Sequence, residues 1–386
     1  MTILTPQGFR AAGVAAGLKS AGGLDLALVV NDGPAHAAAG VFTRNKVKAA
    51  PVLWSQQVLT TGRLRAVVLN SGGANACTGP EGFQTAHATA EKAAEVLGCA
   101  PLEVAVCSTG LIGDRLPMDK VLAGVSEVVQ EMAGGLTGGE EAARAIMTTD
   151  TVPKQVALHH GGNWTVGGMA KGAGMLAPSL ATMLTVIATD AVADAAALDH
   201  ALRRASALTF DRLDVDGSCS TNDTVLLLAS GASEITPSQA ELDEAVLRVC
   251  DDLCAQLQAD AEGVTKRIVV TVTGAASEEE ALTAARVVAR DNLVKTALFG
   301  SDANWGRVLA AVGMAPVTLD ADRIRVSFNG SPVCIDGTGA PGARDVDLSG
   351  ADIDVSIDLG VGTERASIRT TDLSHGYVEE NSAYSS

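Results

Sequence analysis

A threonine, Thr182, stands inside the stretch Met169 to Asp190, MAKGAGMLAPSLATMLTVIATD, where Gly172, Gly174 and Pro178-Ser179 give way to an apolar, β-branched run. The run from Met183 to Ala188 reads as a buried strand, so the hydroxyl sits at a strand entrance. By propensity alone a threonine there starts or caps the strand. The other chemistry open to it is nucleophilic, and that requires a base to take the hydroxyl proton. Three more places carry groups able to do chemistry. Cys107-Ser108-Thr109-Gly110-Leu-Ile-Gly113 is a glycine bend between a strand and a helix; such a bend is either a plain tight turn or a nest of N–H groups suited to negative charge. Met147-Thr148-Thr149-Asp150-Thr151-Val-Pro153 gathers hydroxyls before a proline, the usual form of an extended exit from a helix. Glu262 lies beside the helix-ending Gly263, where a carboxylate is ordinarily exposed.

Regular elements must position these groups. Gly8 to Trp54 is strand-like, with Leu26, Leu28 and Val30 alternating ahead of the turn Asn31-Asp32-Gly33, and predicts an antiparallel sheet. Val67 to Leu69 and Glu103 to Val106 are short strands, each followed by a glycine loop and then a helix, Pro80 to Leu97 and Met118 to Met132. Gly139 to Ile146 predicts another helix, and Val156 to His159 with Trp164 to Val166 a hairpin turned at Gly161-Gly162 that delivers Lys171. Beyond Thr182, Asp194 is placed to cap a helix over Ala195 to Thr209, and Ser238 one that runs to Ala261. Between them Asp214 to Ser218 reads as a strand and turn, and Val225 to Leu228 as a core strand. From Arg267 the texture changes to a strand at Val269 to Val272, a helix opened at Ser277, a second helix ending at Val312, and three alternating strands at 324–328, 333–335 and 353–359. The tail from Tyr377 would normally fray.

The 386 residues, 47% hydrophobic and only 3% aromatic, predict a globular chain with a core of Ala, Val, Leu and Ile. The net charge of −17 excludes a general nucleic-acid surface. No apolar run approaches the roughly 20 residues that span a bilayer, and the first residues have no signal-peptide pattern, so a cytoplasmic protein with no membrane partner is expected. Seven cysteines, without zinc-like pairing, predict buried free thiols. His159-His160 and Asp214-Val-Asp216 lack partners at ligand spacing, and no metal is expected.

Lys171-Gly-Ala-Gly-Met175 with Pro178-Ser-Leu-Ala-Thr182-Met-Leu184, together with STGLIGD, EGVTK and FGSDANWGR, resembles the ornithine acetyltransferases over nearly the whole chain. The resemblance implies an α/β fold, an αββα-type sandwich of two central sheets flanked by helices, with a smaller C-terminal α+β lobe; the approximate split is 1–235 and 236–386. It implies self-cleavage between Ala181 and Thr182 into fragments 1–181 and 182–386. The new α-amino group, of pKa about 8, would then serve as the base for the Thr182 hydroxyl. Thr109 and Gly110 would form the oxyanion hole, and Thr148, Lys171, Thr182, Glu262, Asn381 and Ser386 would bind substrate. Glu262 would meet the ornithine side-chain ammonium. The activity implied is acetyl transfer from N-acetylornithine to glutamate through an acetyl-Thr182 intermediate. No metal or organic cofactor is needed; acetyl-CoA is a further donor in some relatives, and an α2β2 assembly of the cleaved fragments is implied. No catalytic task follows for FGSDANWGR. The alternatives are an aminopeptidase or amidase with the same threonine nucleophile, in an open groove, and a non-enzymatic acidic assembly or binding protein, which would stay in one piece.

Overall fold

The computed structural model describes residues 2–132, 138–161, 163–177 and 183–383, so Ala181, Thr182 and Ser386 lie outside the described residues. The chain divides into two compact units, the first built from Met1–Asp211 and Ser218–Asp260, the second from Arg212–Gly217 and Ala261–Ser385.

Two sheets make the first unit. One has the order β1 (Phe9–Val14), β2 (Leu26–Asn31), β4 (Ala66–Asn70), β5 (Val104–Ser108), with β4 and β5 parallel and the other pairs antiparallel. The other runs β3 (Ala37–Phe42), β9 (Thr224–Ala229), β8 (Leu184–Thr189), β7 (Trp164–Lys171), β6 (Lys154–His160), with β8 and β9 parallel. Each parallel pair is joined by a helical crossover, α2 (Gly79–Leu97) or α5 (Ala195–Leu208), as parallel neighbours require. Leu184, Val186 and Ala188 share one core with Leu26, Leu28, Val67 and Leu69 of the other sheet. The opposite face of this sheet is covered by α5, packed on β3 and β9, and by α6 (Gln239–Ala259), packed on β6 and β7, whose Val249 and Leu253 close over Gly168. On the four-stranded sheet α3 (Met118–Glu131) and α4 (Gly138–Ala145) cover β1 and β2. The first unit is the expected αββα sandwich.

Two local expectations need correction. Leu26–Asn31 does not alternate; it is buried at every position because its sheet is covered on both faces. Residues 50–58 form a helix, α1 (Ala50–Val58), with Pro51 in its first turn. Its side chains serve the edge of β5: Trp54 Nε1 donates to the Val104 carbonyl at 3.0 Å, and Ser55 Oγ accepts from Val106 N–H at 2.9 Å and donates to its carbonyl at 2.7 Å. An exposed strand edge is thereby closed.

The side chain of Asp194 caps α5, and Ser238 with Glu241 forms a capping box on α6. Because α6 lies against β6, β7 and α5, the first unit runs on to Asp260, past the approximate split after residue 235.

The second unit is a six-stranded sheet, β13 (Thr338–Gly339), β12 (Ser331–Ile335), β11 (Arg325–Phe328), β14 (Asp352–Asp358), β10 (Arg267–Ala275) and β15 (Glu364–Thr371). Burial alternates along β10 and β14, with the inner positions packed under α7 (Glu278–Arg290) and α9 (Trp305–Val312). Residues 214–218 form no strand. Leu213 makes a single bridge to Arg369, Asp214 N–H donates to the Arg369 carbonyl at 2.8 Å, and Lys295 Nζ donates to the Val215 carbonyl at 2.7 Å, so this segment is laced to the second unit by isolated contacts. FGSDANWGR is the joint between α8 (Asn292–Phe299) and α9: Asn304 caps α9 and donates to Asp302 at 2.9 Å, while Arg307 reaches back to the Leu293 carbonyl at 2.8 Å. The tail does not fray at Tyr377; α10 (His375–Ala383) carries it on to Ala383.

Among the described residues no helix is long and apolar enough to cross a membrane, and no group of three or more His, Cys, Asp or Glu is placed to hold a metal. Among the described residues no disulfide joins the seven cysteines; Cys107, Cys250, Cys254 and Cys334 are buried, but Cys99 and Cys219 are only half-buried, and Cys77 is exposed because it lies in the loop after β4.

Candidate active site

The register of the five-stranded sheet sets Lys171, the last residue of β7, directly opposite Leu184, the first of β8. The side chain is 1% exposed, an unusual place for an ammonium group unless it is paired. It is held by hydroxyls from two different loops: Lys171 Nζ donates to Thr148 Oγ1 at 2.8 Å and to Thr109 Oγ1 at 3.2 Å. Three residues singled out in the sequence, far apart along the chain, thus meet at one point.

Thr109 follows β5 directly, and its bend is tightly bound. Thr109 N–H donates to the Asn70 carbonyl at 2.9 Å and the Thr109 carbonyl accepts from Gly73 N–H at 3.0 Å. Its backbone is therefore spent on neighbours, and the donor it retains is the hydroxyl proton, since Oγ1 already accepts from Lys171. Gly110 follows with φ +125, and a Cβ there would lie 2.8 Å from Gly73 N; only glycine fits.

Behind Lys171 lies a buried charge relay that the sequence reading passed over. Asp150 Oδ1 accepts from Gly172 N–H at 2.6 Å and from Lys154 Nζ at 2.7 Å, while Oδ2 accepts from Thr148 N–H at 3.0 Å. Lys154 also reaches Asp260 Oδ2 at 2.6 Å, and both Lys154 and Asp150 have fully buried side chains. Burial opposes ionisation of Asp150, but the charges of Lys171 and Lys154 with the hydrogen bonds from Lys154 and Gly172 outweigh it and bring the carboxyl to about 2. The signal in the sequence was the aspartate of the TTDT string itself, four residues before a lysine.

A second buried carboxyl behaves oppositely. Asp223 is 0% exposed, and burial together with the neighbouring Cys219 thiol holds it well above the usual carboxylate range. Its Oδ1 accepts from Met183 N–H at 3.0 Å, and Cys219 Sγ lies 3.6 Å from Oδ2. Asn222 beside it donates to the carbonyls of Ala74 and Ser108 at 2.6 and 2.7 Å. The Ser-Thr-Asn-Asp run at 220–223 was the available signal, and nothing in its spacing marks a site.

Glu262 and Asn381 belong to the second unit and meet each other there. Glu262 is 6% exposed, against the positional expectation, and its Oε2 accepts from Asn381 Nδ2 at 2.9 Å. The approach is permitted by Gly263, at φ +60, where a Cβ would fall 2.0 Å from Tyr377 N.

The ArgJ family model matches residues 10–386. The chain belongs to the ArgJ family. It is 78% identical over 389 residues to the Arginine biosynthesis bifunctional protein ArgJ of Mycobacterium tuberculosis (strain ATCC 25618 / H37Rv), covering 100% of this chain and 96% of that one. The ArgJ protein of Streptomyces avermitilis is 59% identical over 387 residues, with 100% of both chains covered. Among solved structures, ornithine acetyltransferase from Mycobacterium tuberculosis, in complex with ornithine, is 75% identical over 46% of this chain and 95% of that chain, with a TM-score of 0.46. Membership in the ArgJ family makes this chain an acetyltransferase of arginine biosynthesis.

Proposed function

We propose that this chain cuts itself between Ala181 and Thr182 and then moves acetyl groups from N-acetylornithine to glutamate. The observation that carries the reading is the buried Lys171 ammonium, held on the hydroxyls of Thr109 and Thr148 opposite the strand that Thr182 leads into. In the first step Thr182 Oγ attacks the Ala181 carbonyl, the C–N bond breaks with a proton passing to the nitrogen, and water hydrolyses the resulting ester. The product is a threonine with a free α-amino group, basic enough to take its own hydroxyl proton. In turnover the same oxygen attacks the acetyl carbonyl of N-acetylornithine. The Thr109 hydroxyl and the Gly110 N–H donate to the developing oxyanion, and the Lys171 charge supports the Thr109 hydroxyl as a donor. Ornithine leaves as the amine. The amino group of glutamate then takes the acetyl group from the ester and restores the threonine.

Thr148, Lys171, Glu262, Asn381 and Ser386 are the proposed substrate contacts, with Glu262 pairing with the ornithine ammonium. The chemistry needs no metal or organic cofactor. Acetyl-CoA as an added donor, an α2β2 assembly and a cytoplasmic location complete the proposal. An open-groove peptidase is disfavoured, because the full-length relatives are arginine-biosynthesis proteins.

Intact-mass measurement of the protein beside Thr182→Ala, followed by acetyl exchange between N-acetylornithine and glutamate, tests the reading. The expected result is two fragments and exchange for the parent, and one full-length, inactive chain for the variant. Cleavage of T182A at the same bond refutes the assignment.

A further inference from the structure

When a chain is cut on the amino side of residue 182, the upstream backbone no longer holds that residue. The new terminus keeps its place through residue 183 and whatever grips it. Strand β8 begins only at Leu184. Met183 is held by a neighbouring turn: its N–H donates to Asp223 Oδ1 at 3.0 Å and its carbonyl accepts from Thr224 N–H at 3.0 Å. The same turn grips the oxyanion bend. Asn222 Nδ2 donates to the Ser108 carbonyl, one residue before Thr109, at 2.7 Å and to the Ala74 carbonyl at 2.6 Å. The turn is itself anchored past the end of β3, where Thr43 N–H donates to the Asp223 carbonyl at 3.0 Å and Thr43 Oγ1 to the Ser220 carbonyl at 2.6 Å. Adjacent side chains of one buried turn therefore hold the two parts that acetyl transfer must keep in register.

We propose that Asp223 is a positioning residue for acetyl transfer, holding the freed terminal threonine, through the Met183 N–H, in register with the Thr109–Gly110 bend that Asn222 fixes. The inference rests on the self-cleaving acetyltransferase reading. What matters is Asp223 Oδ1 as the acceptor of the Met183 N–H; burial raises the carboxyl's pKa without removing that acceptor. Asparagine offers the same acceptor to the Met183 N–H in nearly the same volume, with its amide nitrogen in place of the Oδ2 that accepts from the Cys219 thiol. Leucine has a similar shape and no acceptor.

The test compares Asp223→Asn with Asp223→Leu, and with Asp223→Ala in case leucine is not accommodated. Cleavage is followed by intact mass, folding by thermal melting, and acetyl transfer by kcat and KM for N-acetylornithine on the cleaved fraction. D223N is expected to cleave and to keep kcat within about threefold, whereas D223L and D223A lose about a hundredfold in kcat with KM changed less than about threefold. A merely structural role would lower the melting temperature without dividing kcat from KM in this way. A folded D223L or D223A with parental kcat, or a D223N as impaired as D223L, overturns the proposal. If the parent protein itself stays uncut and transfers no acetyl group, the activity reading falls and this inference falls with it. Parental activity beside an equally active D223L removes the positioning role alone.

Discussion

Lys171 and the two carboxyls near it illustrate how one buried neighbourhood shifts two carboxyls in opposite directions. Asp150 lies between two ammonium groups and is held down to about 2, while Asp223, beside a thiol, is held up. Asp150→Asn leaves Lys154 and Lys171 without their shared countercharge, and a loss of about 3–5 kcal/mol in urea unfolding is expected. The pH dependence has a definite sign. Because the folded pKa of Asp150 is below the unfolded value of 3.8, its ionic contribution is complete above that value and disappears as pH falls toward about 2. That contribution is about 2 kcal/mol, so the urea midpoint of the parent should fall more steeply than that of D150N between those two pH values. Parallel curves would show that the charge of Asp150 is not what the native state uses.

At the scale of elements, glycines decide which segments touch. Gly110→Ala places a methyl group against Gly73 N and forces φ out of its region, so acetyl transfer is expected to drop at least about a hundredfold, the cost of misplacing one oxyanion donor. Steady-state kinetics on cleaved protein checks this, and a parental rate would overturn the proposed oxyanion role of Gly110. Gly263→Ala acts on the second unit, where α10 closes on the turn after α6 through the Gly263–Tyr377 approach. Strain of about 1–3 kcal/mol should loosen that helix and speed cleavage at Glu379–Glu380 by a glutamate-specific protease by about tenfold. An unchanged rate would mean that α10 is anchored by other contacts. Caps at Asp194, Ser238 and Ser277 mark helix starts that were legible in the sequence, because the capping group and the apolar period are both local. The helix over 50–58 was not legible, since what stabilises it is the edge of β5, fifty residues away at the Trp54–Val104 contact.

Across the whole first unit, the proposed cut falls between β7 and β8, which are paired neighbours in one sheet. The strand order β3-β9-β8-β7-β6 takes β3, β6 and β7 from residues before the cut and β8 and β9 from residues after it, so the ladders β3–β9 and β7–β8 both join the two fragments. Cleaved protein is therefore expected to migrate as one species in native mass spectrometry and to separate into fragments only in denaturant. Fragment 182–386 made alone should fail to fold its first-unit strands. Separation of the fragments in plain buffer would contradict this interleaving.

The sequence by itself determined the alternation and punctuation of the elements, the helix caps, and the strings that mark Thr109, Lys171, Thr182 and Glu262, because each is carried by residues close together in the chain. Only the tertiary structure decided that Lys171 meets Thr109 and Thr148, that the Asp150 carboxyl is lowered while that of Asp223 is raised, and that Glu262 is buried against Asn381. Those outcomes depend on burial and on charges brought together from distant segments, and a carboxylate in a sequence has neither a dielectric nor a neighbour until the sheets close around it.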